Sequence, residues 1–253
     1  MTRNVLTLLL LLNAVPAAAE PPAQVVPVVE MWFVSAEMPP AQPELAVYSN
    51  GAVRVHVGSG QYLDGVLSQQ QVQDLQRELL VDCQLQVLSS PAISAEIQEA
   101  SDVTGLTWMI PRADDTVIRV RQADGRFHEV RCHAVGLLAS RFPSAQGLQN
   151  VHRAQQRLQN VRAVLQVGGN EAAEGLAQYA TRSVRQQSPG LPDLTPGDLA
   201  MVRSFPDGTR YIQFCRPMSD GTAIEVSPLI VSVTEAPGEP PRVSVFGGAG
   251  LQR

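Results

Sequence analysis

Apolar and polar positions alternate with a period of two in several short runs along this chain, and glycine turns separate the runs in pairs. Glu44 to Ser49 and Ala52 to Val57 flank Asn50-Gly51. Thr116 to Gln122 and Phe127 to Val135 flank Asp124-Gly125, and Leu199 to Phe205 and Thr209 to Arg216 flank Asp207-Gly208. Asn-Gly and Asp-Gly tolerate the positive φ angles of a type I′ turn, so each pair predicts a β-hairpin. Met31-Trp32-Phe33-Val34 predicts a further strand. More strands are expected around Ile224, over Leu229 to Val233 and over Arg242 to Phe246, with a turn at Pro237 to Pro241. Met38-Pro39-Pro40 and Pro43 do not suit a sheet interior. The first and third hairpins share a weak likeness, Glu44-Leu45-Ala46-Val47 against Asp198-Leu199-Ala200-Met201.

The period lengthens to that of a helix in three places. Ser68 and Gln71 form a capping box, with Leu67 and Val72 at the staple positions around it. Val72, Leu75, Leu79 and Leu80 make one stripe, and Leu148, Val151, Leu158, Val161 and Leu165 a longer one. Gly168-Gly169 ends the long helix. Asn170 caps a third, with Leu176, Tyr179, Ala180 and Val184 on its apolar face. Thr195-Pro196 opens a single helical turn. Strands joined by hairpins and interleaved with single helices predict an α+β fold, with antiparallel hairpin-rich sheets and about three helices packed on one face.

The N-terminus has a different pattern. Arg3 precedes an apolar run, Val5 to Leu12, which Pro16 and Ala17-Ala18-Ala19 close. That is the pattern of a cleavable signal peptide on the general secretory route, and the run is shorter than the roughly 20 residues a membrane-spanning helix requires. Residues 1–19 are therefore expected to be removed, leaving a mature chain from Glu20 that is periplasmic or extracellular and not inserted in a membrane. A Pro-rich lead-in covers 20–43, a first α+β unit 44–188, and a smaller, mostly β unit 189–253, with Ser188 to Pro192 as the break.

Leu45 to Leu80, followed by Thr116 to His128 (T-V-I-R-V-R-Q-A-D-G-R-F-H), resembles a hairpin–helix–hairpin pattern of uncharacterised exported bacterial proteins. The resemblance spans about half the chain and implies no particular activity.

Charge and cysteine narrow the options. All 19 basic side chains are arginines, and the formal net charge is −5. A nucleic-acid partner would call for a basic stripe, so none is expected. An oxidising compartment and three cysteines suggest one disulfide and one leftover thiol. Cys83 with Cys132 is the expected bridge and Cys215 the expected free thiol.

No catalytic constellation is evident. His128-Glu129-Val130-Arg131-Cys132-His133 misses the H-E-x-x-H spacing, and on a strand its histidines point to opposite faces. Cys132 and His133, being adjacent on a strand, also point apart, which does not suit a nucleophile and its base. Arg216 beside Cys215 faces the other way for the same reason. Gly58-Ser59-Gly60, Gly168-Gly169-Asn170 and Gly247 to Gly250 read as turns or tails. Asp114-Asp115 reads as a solvated carboxylate pair in a loop. Trp32 and Trp108 are expected in the core, with a contact surface as the other option. No catalytic residue, metal site or cofactor is assigned. The expected function is a non-catalytic envelope or extracellular module whose partner is another protein of the cell envelope. The alternatives are a secreted hydrolase assembled only in three dimensions, from His56, His128, His133 or His152 with a serine or Cys215, and a structural envelope component.

Overall fold

The computed structural model describes residues 25–35, 37, 42–58, 60–187, 189–217 and 228–246. The expected signal peptide and its cleavage site, the Met38-Pro39-Pro40 segment, Ser59, Ser188, the strand around Ile224 and Gly247 to Gly250 lie outside these residues.

A six-stranded antiparallel sheet is built on β1 (Pro27–Val34). On one side lie β2 (Leu45–Tyr48), β3 (Ala52–Gly58) and β4 (Gln61–Val66); on the other lie β5 (Asp115–Arg121) and β6 (Phe127–His133). The Asn50-Gly51 and Asp124-Gly125 turns join the expected pairs, with φ of 87° and 82° at the two glycines. Alternation is strict where it matters. Val29, Met31, Leu45, Val47, Val53, Val55, Ile118 and Val120 are all fully buried. β6 ends two residues earlier than its apolar run suggests, because Ala134 takes a left-handed conformation (φ 45°) and turns the chain into a helix.

Among the described residues there are five α-helices, where about three are expected. The first, α1 (Gln69–Arg77), carries the expected capping box, with Ser68 and Gln71 bonding each other's backbone amides. It runs on into a five-residue π-helical turn, Glu78–Asp82, which Cys83 closes. The unexpected helices are α2 (Ser90–Thr104), capped by Ser89 and opened by Pro91, and the short α3 (Val135–Arg141). Both bury apolar side chains in the first core, beside Val72 and Leu75 of α1.

The long helix α4 (Gln146–Gln166) and α5 (Asn170–Gln187) follow. Beyond them a 3-10 turn, Pro196–Asp198, leads into a four-stranded antiparallel meander: β7 (Leu199–Ser204), β8 (Arg210–Arg216), β9 (Leu229–Glu235) and β10 (Arg242–Phe246). The division of the core falls inside α4. Leu148, Val151, Ala154, Leu158 and Val161 pack in the first core, while Ala163 and Val167 pack in the second, with α5 and the meander. The two cores therefore share a helix, upstream of the Ser188 to Pro192 break.

Candidate functional site

The four histidines occupy four separate places. His128 lies on the inner side of β6, its Nε2 2.9 Å from Leu88 O. His133 lies on the outer side, with Nδ1 2.9 Å from Asp115 Oδ1 and Nε2 2.9 Å from Ile110 O. Both bonds form together only when both ring nitrogens carry protons. His56 Nδ1 is 3.4 Å from Glu44 Oε1, beside the Tyr62 ring. Burial lowers the pKa of His152 on α4. Among the described residues, no three His, Cys, Asp or Glu side chains converge as metal ligands would.

Asp115 is not the solvated carboxylate expected from a loop. It opens β5 directly across from His133, and Arg131 Nη2 lies 2.7 Å from its Oδ2. Burial tends to raise its pKa, but the hydrogen bonds and charges of His133 and Arg131 outweigh burial and hold the carboxyl below its ordinary value.

The expected disulfide is not formed. Cys83, Cys132 and Cys215 are all unpaired, the first two buried in the first core. Cys83 caps the π-helical turn, whereas Cys132 sits on β6 with its Sγ 3.6 Å from His133 O. Burial, with Asp115 adding to it, pushes the Cys132 thiol up to about 12. Burial and Asp198 push Cys215 up as well, the reverse of what a nucleophilic thiol requires.

A cleft of about 600 Å³ lies where the two cores meet on α4. Arg153, Arg157 and Asn160 of α4 line it, with Glu78 on one wall and Asp198 and Cys215 on the other. Its charges are mostly spent on each other. Arg157 Nε is 2.8 Å from Glu78, and Arg216 pairs with Asp198 at 3.3 Å. Asn160 donates to Pro196 O and Leu199 O, tying the helix to the meander. Only Cys215 brings a thiol to the lining, and no histidine does.

The outer face of the six-stranded sheet carries a row of charges on every strand but β2. The register aligns Asp64, Arg54, Ala46, Glu30, Arg119 and Glu129 from β4 to β6. Arg54 bonds Asp64 at 2.8 Å, and Arg119 lies 3.0 Å from Glu30 and 3.3 Å from Glu129. Arg119 also stacks over Phe127, 4.9 Å from the ring centre. Val28, Ala46 and Val117 are buried as well, although they alternate with the inward-facing residues of their strands.

The sheet edges are not equivalent. At β6, Arg131 N donates to Ser90 Oγ at 2.8 Å, and Leu88 sits against His128. At β7, α4 lies alongside and Asn160 takes up the carbonyl of Leu199. β4 mixes Gln61 and Asp64 with Tyr62, Leu63 and an exposed Val66, and Leu165 of α4 packs against its Gly65. In contrast, β10 reads Arg242-Val243-Ser244-Val245-Phe246, pairs among the described residues only with β9, and leaves Arg242, Ser244 and Phe246 exposed.

No protein-family model, curated protein or solved structure matches this chain.

Proposed function

We propose that the protein is a non-catalytic module of the cell envelope or extracellular space, which binds another protein by accepting a strand at the edge of β10. The open edge of β10 carries this reading. Unpaired strand edges template pairing with another chain, and proteins ordinarily block them with side chains, charges or covering elements. β6 and β7 are blocked in that way, and β4 carries the charged Asp64 and has the Leu165 side chain of α4 packed against its Gly65. β10 combines β-branched and aromatic residues with an edge that no described strand pairs, and it carries no acid.

The hydrolase reading draws no comparable support. Its histidines are dispersed, and the thiol that lines the cleft on α4 has its pKa raised by burial, with Asp198 adding to it.

The test is affinity capture from an envelope extract with two tagged chains, both running from Glu20 to Arg253. One is unaltered, and the other carries Ser244→Lys and Phe246→Lys, lysines at exposed edge positions. A saturable partner captured by the first and lost with the second, together with slowed hydrogen exchange of β10 amides in the complex, supports strand addition. Equal capture by both chains, or a complex in which β10 exchanges as in the free protein, overturns it.

A further inference from the structure

We infer that the protein closes the β10 edge on itself when no partner is bound: β10 of one copy pairs antiparallel with β10 of a second copy, about a two-fold axis at Ser244. The inference rests on the reading that β10 is open to strand pairing, and it assigns that edge a means of control. β10 carries valines at equal distances on either side of Ser244, with Arg242 beyond one and Phe246 beyond the other. Val243 and Val245 face inward, opposite the fully buried Val233 and Val231 of β9. Arg242, Ser244 and Phe246 alternate with them and are exposed.

The two ends of this strand complement each other. In an antiparallel pair centred on Ser244, each Arg242 stands opposite Phe246 of the second copy, and each Val243 opposite its Val245. A guanidinium over an aromatic face is an attractive pair, and this fold already makes one across two strands. Arg121 of β5 stands directly opposite Phe127 of β6, its guanidinium carbon 5.3 Å from the ring centre. The β10 pair makes the same contact twice, because a two-fold axis repeats each contact in the opposite sense. The two Arg242 side chains lie at least about 13 Å apart, four residues along the strand, so like charges do not meet. Arg242 also pairs with Glu239 of its own chain at 2.6 Å, where both side chains are exposed.

The core beside this edge is incompletely covered. Val243 and Val245 pack on the second core but are only partly buried, as are Leu176 and Tyr179 of α5. Tyr179 Oη donates to Pro241 O at 2.8 Å, which sets α5 beside the start of β10. A two-fold axis perpendicular to the sheet doubles the four-stranded meander and brings the two valine rows together on the same side. Such a contact closes at two copies, so an edge that otherwise invites open-ended pairing is capped. The paired segment is only five residues long, which makes the dimer weak and lets a better-matched strand displace it.

The test is analytical ultracentrifugation of the chain from Glu20 to Arg253, which retains every described residue, in a dilution series from about 1 mM. The expected result is a reversible equilibrium between monomer and dimer. Phe246→Arg sets arginine opposite arginine in both contacts and should weaken the dimer by roughly tenfold or more. Phe246→Glu, at the same exposed position, sets a carboxylate opposite Arg242 and should retain the dimer. A general loss of apolar surface would weaken both variants alike. A monomer at every concentration, equal behaviour of the two variants, or assemblies larger than two copies overturns the proposal. Its failure is distinguishable from failure of strand addition. A monomeric chain that still captures an envelope partner through β10 overturns self-pairing alone. A dimer with the expected response to both variants supports self-pairing even where the extract yields no partner.

Discussion

Asn160 Nδ2 lies 2.7 Å from the carbonyl oxygen of Pro196 and 3.0 Å from that of Leu199, so one buried amide joins the shared helix α4 to the edge of β7. The same residue accepts from Arg157, which holds Glu78 on the opposite wall of the cleft. Asn160→Leu removes the donor and leaves two carbonyls facing an apolar group. The expected loss is about 1–3 kcal/mol of stability, read as a lower urea midpoint at unchanged slope. Asn160→Asp should lose more, because it sets a carboxylate against two carbonyl oxygens. An unchanged midpoint in both variants would show that these bonds contribute nothing.

Gly51 and Gly125 hold equivalent positions in two hairpin turns, with φ of 87° and 82°, yet their surroundings differ. A Cβ on Gly51 would stand 2.2 Å from Leu67 O, whereas one on Gly125 meets nothing within 4 Å. Gly125→Ala should therefore carry only the left-handed penalty, about 1–2 kcal/mol. Gly51→Ala adds a clash with backbone that has to move, so it should unfold at a clearly lower temperature. Equal melting temperatures for the two variants would contradict the placement of Leu67.

The depressed pKa of Asp115 gives stability a pH dependence of known sign. Its contribution is fully present above the ordinary carboxyl value of 3.8 and is lost as pH falls through the lower folded value. Thermal melts should show the native chain more stable than Asp115→Asn near neutral pH. The gap should narrow only below the ordinary carboxyl value. A gap that stays constant into strong acid would mean that the ion pairs with Arg131 and His133 add nothing.

The three thiols should react in a fixed order. Cys132, raised to about 12 by burial with Asp115 adding to it, should resist iodoacetamide in the folded protein. Cys83, buried and likewise raised by desolvation, should also resist, and the partly exposed Cys215 should label first, though more slowly than a free thiol in a peptide. Peptide mapping by mass spectrometry reads the order, and denaturation should release three titratable thiols. Labelling of Cys132 ahead of Cys215 would refute the burial assignment.

What could be read from sequence was local. Asn50-Gly51, Asp124-Gly125 and Asp207-Gly208 specify their hairpins because only a few residue types adopt those turns, and the flanking strands are already adjacent in the chain. Ser68 and Gln71 start α1 through bonds that span three residues, and the 148–165 stripe marks α4 by its own period. The helix α2 has comparable local signals, Ser89 before Pro91 with Ile93, Ile97 and Ala100 on one side, yet lies outside the three expected helices. The strand β4 has little apolar pattern to find.

The remainder depended on pairings distant in sequence. Nothing near Glu30 announces that Arg119 will face it across β1 and β5, 89 residues away. Asp115 reads as solvated until β6 folds back and sets Arg131 and His133 against it. The cysteines suggest a bridge by number alone, whereas the fold places Cys83 at a helix end and Cys132 on a strand, both unpaired. By itself the sequence determined the hairpins, the main helices and the α+β class, since turn chemistry and periodicity act over a few residues. Strand order, the sharing of α4 between two cores, the charged row and the closed and open edges were decided by tertiary structure, because each is a relation between segments that only packing brings together.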